Sequence, residues 1–593
     1  MIDLGDKIAI QRLHKAKKTS RDALVPFQRV RTRIIEDYVG SWYSQYGSKL
    51  PTLVNKLNQT ARIYQMALAA NNPQCKVTTF NQKLWPFARK FEQNINRVIS
   101  NIDLKTTIQA AVLDAFFLVG IVKVRLADAG FIQTDDNTWV DPGKPWVDRV
   151  SLDNAILDLA ATDIRAMRFY GDRYRASWRK IKERDDFDSK IVKRLAPSSK
   201  ANTDQGTEPA SAITAGWAVD DDELEPMCWL EDIFLPENQQ WVTFSGDNPE
   251  LGPLKVLDWE GEERGPYKYL SLGMVPDNIL PSTPAQNLKG LHDLMNRLYR
   301  KLSQQATNQK TVTGYKPGAE KDAEALRQAK NGDYIQLRNP KDDVTQLNWN
   351  GVDGNTNLFF QAANEVYNVQ AGNERSVAGL GTEANTVGQE QQIAAHAGGL
   401  IGFMKSQVLD WTSDICREIG NLMWESADLT VDSSMDAAGT GYRVDSSWKP
   451  GDRQGLKDHY EFKVAPNSMA YVTPEMKLAK VYDFLGKIAP VFPMIQAGII
   501  DVQELTTIAS EYMDVPEIQR IFKLGQSVQL PGGGGQGSAG QGPGGLGTHQ
   551  ATKAPNTTRT VVRSTNSGGT AANRGNQLAQ AMNNQPMMAG ART

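Results

Sequence analysis

A glycine-rich stretch, "AGNERSVAGLGTEANTVGQE" (371–390), is the segment whose composition comes nearest to a phosphate-binding catalytic loop. A nucleotide-binding loop follows a strand and ends in Gly-Lys-Ser/Thr, so that an ammonium group and a hydroxyl reach phosphate and magnesium. Here "GLGTEANT" contains no lysine and follows a predicted helix. The glycine spacing of a dinucleotide-binding fingerprint is missing as well. The stretch is therefore either a connector or a loop that handles something large without chemistry.

Residues of other catalytic or metal-binding types are present, but their spacing does not group them. The sequence contains neither a GxSxG nucleophile elbow nor an HExxH zinc motif. The cysteines lack CxxC spacing, which argues against a disulfide framework or a zinc site and fits a reducing compartment. We therefore predict that the protein is not an enzyme and uses no cofactor or metal. The scattered candidates are His14, His292, His396, His459, His549, Cys75, Cys228 and Cys416.

Size, charge and apolar content narrow the class further. A chain of 593 residues has room for about three or four domains, and 40% hydrophobic with 23% charged residues is typical of a folded protein. Its formal net charge of −2 is far from that of proteins that grip nucleic acid over their whole surface, so contact with DNA should be local or weak. The N-terminus lacks the apolar core of a signal peptide, and the most apolar run, 110–124, is too short for a bilayer span.

Two features of the N-terminal half predict local structure. Residues 10–43 have the pattern of a basic amphipathic helix interrupted near Pro26, whose charged face is either solvated or in contact with nucleic acid. The apolar run 110–124 predicts a buried helix that turns into a strand at Gly120. Both features place helices in the core or along its edge.

Three longer helices are predicted in the second half of the chain. Apolar residues recur at intervals of 3, 4, 3 and 4 from Pro284 onward, which indicates a helix that packs along one face. A second helix is predicted from about Thr356 to Gln370, with Gly372 suited to end it, and a third over about 386–427. The apolar stripes of the first two are Leu288, Leu291, Met295, Leu298 and Leu302, and Leu358, Ala362, Val366 and Val369.

A small unit, 311–350, lies between the first two of these helices. Its pattern predicts a strand, a helix from about Ala319 to Lys330, and then the strands "DYIQL" and "TQLNW". The unit has six basic and six acidic residues, so its charges cancel. Such balanced charge allows complementary pairing with partner proteins, the alternative being a self-contained hairpin and helix.

The C-terminal part changes character twice. Strands and turns are expected over 428–472, and a helical region follows from Thr473 to about Phe522. Beyond Gln526 the chain is rich in glycine and polar residues and has five basic residues but no acidic one. A segment with so few apolar residues is expected to be flexible.

The order of these features resembles that of portal proteins, the head-to-tail connectors of tailed bacteriophages. A helix breaks into a strand at glycine in "DAFFLVGIVKVRL" (114–126), and a proline-flanked entry leads to a long helix with a polar end over 276–310. The small unit follows, and then the second helix, the glycine-rich stretch and the third helix. The resemblance covers about residues 20–525 and rests on element order rather than on an invariant motif.

The resemblance implies an α+β, mainly helical subunit of a portal-like ring with wing, stem, clip and crown regions. These regions are the N-terminal wing (1–283), a stem helix (284–310), the clip (311–350), a second stem helix (351–372), the tunnel loop (373–390), the C-terminal wing (391–472), the crown (473–525) and the flexible Gly-rich basic tail (526–593).

The implied function is that of a homo-oligomeric, twelve-membered ring at one capsid vertex of the virion, assembled in the host cytoplasm without a membrane. A terminase motor would drive double-stranded DNA through the ring, which would later bind tail or adaptor proteins and release the DNA at ejection. Major capsid and scaffolding proteins would surround it. The alternatives are another head-tail component, such as an adaptor or internal head protein, and a nuclease or ATPase of the packaging motor, which the missing nucleotide loop disfavours.

The resemblance also assigns candidate residues. In the tunnel loop, glycines allow a change of backbone conformation, and Arg375 against Glu374 and Glu383 would hold passing phosphates only briefly. A buried connector between stem and wing fits the same residues. The mobile tail would contact DNA or scaffold, or serve no function. The tunnel-loop candidates are Asn373, Glu374, Arg375, Ser376, Gly379, Gly381, Thr382, Glu383 and Asn385; the stem candidates are Lys289, Arg297, Arg300 and Lys301; and the partner-binding clip candidates are Lys316, Glu320, Arg327, Lys330, Lys341 and Asp342.

Overall fold

Helices and antiparallel sheets succeed one another along the part of the chain that the structure describes, which makes the fold α+β as predicted. All the described residues belong to one unit, Met1–Leu524. The crown and the tail, which were predicted from sequence, lie outside the described residues apart from Tyr482 and Gly486. The computed structural model describes residues 2–40, 53–128, 132–133, 139–140, 143–197, 225–337, 344–349, 351–372, 387–436, 443–466, 468–469, 482 and 486.

The helices and strands of the described residues have the following bounds. The helices are α1 (Lys7–Val39), α2 (Lys56–Leu68), α3 (Trp85–Asn101), α4 (Leu104–Phe117), α5 (Trp178–Glu183), α6 (Ser189–Val192), α7 (Pro284–Asn308), α8 (Glu320–Gln328), α9 (Gly354–Gln370) and α10 (Val387–Glu425). The strands are β1 (Cys75–Thr79), β2 (Gly120–Ala127), β3 (Ile132–Gln133), β4 (Trp139–Val140), β5 (Lys144–Val150), β6 (Ala155–Leu157), β7 (Tyr170–Ser177), β8 (Met227–Leu235), β9 (Gln240–Ser245), β10 (Pro253–Asp258), β11 (Tyr267–Leu270), β12 (Lys310–Tyr315), β13 (Val344–Trp349), β14 (Ser434–Asp436), β15 (Arg443–Asp445) and β16 (Tyr460–Val464).

The N-terminal half contains two larger antiparallel sheets. One has five strands in the order β10-β9-β8-β7-β6, and the other has three in the order β11-β2-β5. Ile121, Tyr170, Phe234 and Tyr267 bring side chains from both sheets into one buried cluster, to which α1 contributes Leu24. The apolar side chains shared between the sheets hold them together.

The largest core joins N-terminal and C-terminal segments of the described chain. β1 pairs with β16 in antiparallel register from Cys75↔Val464 onward, and α10 lies in the same core. Within it the ring of Phe91 stacks on that of Trp448, with centroids 4.6 Å apart. The N-terminal and C-terminal parts assigned to the wing therefore share one core.

The junction between α4 and β2 confirms the turn at Gly120. A Cβ atom at this position would lie 2.3 Å from the carbonyl oxygen of Ala111 in α4. Only glycine lets the strand start this close to the helix that precedes it. The strand then continues as a buried run through Val122 and Val124.

Two sequence expectations need correction. α1 runs through Pro26 without a break, and Pro26 is exposed, so the hydrogen bond that proline cannot make is lost on the solvent side. Residues 333–337 ("DYIQL") form no strand, because β12 takes β13 as its partner. Cys75 and Cys416, distant in sequence, are both buried as free thiols in the largest core, and the neighbouring Cys416 thiol, together with burial, raises the pKa of Cys75. Among the described helices, none combines the length and the apolar character needed to cross a bilayer.

Candidate functional site

The helix α7 begins and packs as its sequence pattern predicts. The hydroxyl of Thr283 accepts a hydrogen bond from the Gln286 amide, 3.1 Å away, and Pro284 occupies the first helical position. Leu288 and Met295 of the apolar stripe are buried. The remaining members of the stripe, Leu291, Leu298 and Leu302, are partly buried.

The four basic residues predicted for this stem helix have different surroundings. Lys289 donates to Asp293 and is paired with Asp37 of α1, each at 2.6 Å. Although burial lowers it, the hydrogen bonds to these two carboxylates raise the pKa of Lys289. Lys289 therefore holds α7 to α1 rather than presenting a charge to a ligand. Of the other three, Arg297 and Lys301 are exposed and Arg300 is half-buried.

The inward face of α9 is more polar than the sequence suggested. The hydroxyl of Tyr367, which is fully buried, lies 2.9 Å from that of Thr60 in α2. Asn368 and Thr356 are buried as well, and the ring of Phe360 packs beside Tyr299 of α7, with centroids 5.8 Å apart. Hydrogen-bonded polar groups thus help to attach α9 to its own chain.

The apolar stripe of α9 faces outward. Leu358, Val366 and Val369 are 63%, 52% and 59% exposed, and the adjacent Phe359 is 54% exposed. With Ala362, which is also exposed, these residues are here named the α9 outer stripe. Leu358, Ala362, Val366 and Val369 recur at intervals of 4, 4 and 3, so they follow one side of the helix, roughly opposite Tyr367, with Phe359 at the edge of the stripe. The sequence pattern identified this stripe but could not say which side of the helix meets the core.

The nine tunnel-loop candidates, which fall within 373–385, lie outside the described residues. What is described is the pair of helices on either side of the loop, since α9 ends at Gln370 and α10 begins at Val387. Gly372 has a φ of 76°, in the left-handed region that favours glycine, and its amide donates to the carbonyl of Val369. The predicted helix end at Gly372 is confirmed.

The clip candidates form a small hairpin and helix with little burial. β12 and β13 pair from Lys310↔Trp349 to Tyr315↔Val344. No residue of α8 is buried, and Val312 and Tyr315 on the hairpin are about half exposed, at 48% and 52%. The exposed clip candidates are Lys316, Glu320, Arg327 and Lys330, whereas Lys341 and Asp342 lie outside the described residues.

The sequence pattern did not predict the role of one polar residue of α7. Asn296 is buried, and its Oδ1 accepts hydrogen bonds from the amides of Leu53 and Val54 at 3.1 and 3.0 Å. Its Nδ2 donates to the carbonyl of Val54. Asn296 follows Met295 directly and so lies beside the apolar stripe. This position was the one feature of the sequence that indicated its burial.

Comparison with known proteins adds no further assignment. No model of a known protein family matches the chain, and a search among curated proteins found no match. The functional interpretation therefore depends on the surfaces described above and on the order of the elements.

Proposed function

We propose that this chain is a ring-forming channel subunit of the portal type, through which double-stranded DNA passes at one vertex of a bacteriophage capsid. The observation that carries the proposal is the α9 outer stripe. Four large apolar side chains that are more than half exposed on one helix face leave a surface that water does not favour. In a ring, a neighbouring copy covers such a face on every subunit.

The hairpin of β12 and β13 with α8 supports a docking role. The hairpin and α8 bury few side chains against the rest of their own chain. Contacts with neighbouring copies and partner proteins would therefore add to their stability. Its exposed side chains carry both signs of charge, for example Glu320 and Arg327. We assign to it the contacts with the terminase motor and with tail or adaptor proteins.

The charges of the stem fit a wall along which DNA slides. Each lysine or arginine that binds a phosphate adds salt-sensitive affinity and slows movement. Lys289 is already paired with Asp37 and Asp293, which reduces the positive charge that α7 offers to DNA. A weak hold on phosphate suits a channel better than a clamp.

Imaging of the purified full-length protein tests the proposal directly. The expected result is a closed ring with a central channel wide enough for duplex DNA, and a matching mass in native mass spectrometry. Monomers under all assembly conditions would contradict it. A filament or an open, channel-free oligomer would favour the second candidate, an adaptor or internal head protein.

The glycine-rich stretch provides a test of DNA handling. Replacing Gly379 and Gly381 by valine restricts the backbone, and replacing Glu374 and Glu383 by lysine strengthens the attraction for phosphate. Both double variants are expected to form rings but to package or retain DNA abnormally, as measured by packaged genome length and release. If both variants package and retain DNA normally, the stretch does not handle DNA and is a connector instead.

A further inference from the structure

A buried lysine lies between two aspartates where the two sheets of the N-terminal half meet. Lys123 projects from β2, and its Nζ donates to Asp172 Oδ1 at 2.8 Å and to Asp232 Oδ2 at 2.6 Å. Asp172 on β7 and Asp232 on β8 are directly opposite each other in the strand register. All three residues are buried, so the cluster links the three-stranded sheet to the five-stranded one away from solvent.

Aromatic rings enclose the ammonium group. The Lys123 Nζ atom lies 5.0 to 5.6 Å from the ring centroids of Trp241, Tyr174 and Tyr267. Such a wall of rings excludes water and lowers the local dielectric constant, which strengthens every polar interaction inside it. Any reaction among these side chains would take place in a dry site.

The two carboxyl groups have different hydrogen-bond partners. Tyr267 donates its hydroxyl to Asp172 Oδ1, the oxygen that also faces Lys123, at 2.5 Å. Thr243 donates to Asp232 Oδ1 at 2.7 Å, which leaves Oδ2 of Asp232 directed at the ammonium group. The Tyr267 hydroxyl thus polarises the carboxyl group of Asp172 at the oxygen near the amine of Lys123. The carboxyl group of Asp232 is placed to accept a proton from Lys123.

The backbone around the cluster is closely packed. A Cβ atom at Gly171 would lie 1.9 Å from the carbonyl oxygen of Asp232, so only glycine allows β7 and β8 to come together here. The hydroxyl oxygen of Tyr267 also lies 3.2 Å from that carbonyl oxygen, while its single proton is donated to Asp172 at the shorter distance. Such packing limits the relative movement of the amine and the carboxyl group, which favours a reaction between them.

The charges of the cluster do not balance, since two carboxyl groups face one ammonium. Burial raises the pKa of Asp172, and the nearby charge of Asp232 adds to the rise while Lys123 opposes it. Burial lowers the pKa of Lys123, but the charges of Asp232 and Asp172 outweigh it and the pKa is raised. Charges buried in this way are costly, and a reaction that removes them is favoured.

We propose that Lys123 and Asp172 form an intramolecular amide bond in the folded chain, with Asp232 as the proton carrier. Starting from protonated Asp172, the ammonium group passes one proton to Asp232, and the amine attacks Cγ of Asp172 to form the N–C bond. The hydroxyl of Tyr267 stabilises the oxyanion at Oδ1. Asp232 gives its proton to the hydroxyl at Oδ2 and takes the second proton from nitrogen, so that the Cγ–Oδ2 bond breaks and one water molecule leaves.

The balance of this condensation requires no oxidant, cofactor or leaving group other than water. One amine and one carboxylic acid become one amide, and Asp232 ends protonated, so the site holds no net charge. Because the ammonium form of Lys123 predominates, the bond is expected to form more slowly than the chain folds. The product would tie β2 covalently to β7.

Intact-mass measurement of the denatured full-length protein, after prolonged incubation in the folded state, tests the proposal. The expected mass is lower than that calculated from the sequence by one water molecule, and a protease digest should give a branched peptide that joins Lys123 to Asp172. Wild-type protein that stays at the calculated mass, with both peptides unlinked, would overturn the proposal. A branched peptide that joins Lys123 to Asp232 would overturn the assignment of Asp172.

Two variants separate the roles of the aspartates. Asp172→Asn should lose ammonia in place of water and reach the same final mass as the closed wild type, because both form one amide. Asp232→Asn keeps the Lys123–Asp172 pair but removes the proton carrier, and it should stay unlinked. If Asp232→Asn closes as fast as the wild type, its assigned role is wrong. Lys123→Arg lacks the reacting amine and serves as the reference that stays unlinked, at its own calculated mass.

Discussion

A charge placed on the α9 outer stripe should prevent ring formation without unfolding the subunit. Leu358 is 63% exposed, so the Leu358→Asp side chain stays in water in a single subunit. Surface substitutions of this kind change the free energy of unfolding by only about 0.5 kcal/mol. Any larger effect on assembly would therefore come from a neighbouring copy.

The size of the expected effect follows from the exposed fraction. Full burial of a leucine contributes about 1.5 to 3 kcal/mol, so covering the exposed 63% adds about 1 to 2 kcal/mol at each interface. The aspartate variant loses this contribution and must also bury a carboxylate, which costs at least about 1 to 3 kcal/mol more. A sum near 3 kcal/mol weakens each interface by more than about a hundredfold.

Sedimentation velocity and native mass spectrometry over a concentration series would measure the shift from rings to single subunits. Asn357→Asp is the matched control, because it adds the same charge at the neighbouring exposed position on another side of α9. The control should assemble as the wild type does. Rings of Leu358→Asp that persist at the same concentrations as the wild type would refute the assignment of the stripe to a subunit interface.

Three further results are expected. Charge reversals at Arg327 and Lys330, both exposed, should leave rings intact but impair packaging or tail attachment; if neither changes, the hairpin unit has no docking role. Gly120→Ala should lower the free energy of unfolding by about 2 to 4 kcal/mol in denaturant titrations, since its Cβ would meet a backbone carbonyl. The control Gly290→Ala, with open space around its Cβ in α7, should raise that energy by about 0.5 to 1 kcal/mol. Burial, aided by the charge of Lys17, lowers the pKa of His14 from 6.5 to about 4. Only the unfolded chain then gains a proton as the pH falls from 6.5 to about 4, so stability should drop over that range, and His14→Gln should flatten the curve.

The sequence could predict elements whose apolar period is long and whose caps are local. The stripe of α7 and the cap at Thr283 are examples, because both depend on residues within a few turns of one another. The turn at Gly120 was also predictable, since a glycine between two apolar runs is a local signal. The sequence also showed that the clip candidates are charged residues of both signs, but it could not show that the described ones are exposed.

What the sequence could not predict depends on contacts between distant residues. Tyr367 is buried because Thr60, some three hundred positions away, offers its hydroxyl a partner. Without knowledge of that contact, the apolar stripe of α9 would be expected to pack against the core of its own subunit. The prediction of a strand over 333–337 was wrong for a similar reason. Which segments form the hairpin depends on the pairing of β12 with β13, a contact between separate parts of the chain.

The pairing of β1 with β16 also sets a schedule for biosynthesis. The partner of Cys75 is Val464, so β1 leaves the ribosome about 390 residues before the strand that completes its sheet. At about 5 to 20 residues per second, that delay is on the order of 20 to 80 s. During this time the edge of β1 and the rings around Phe91 lack their final partners, and a nascent chain in this state is prone to aggregate. Yield in the cell should therefore depend on chaperones that shield the nascent chain until β16 has been made.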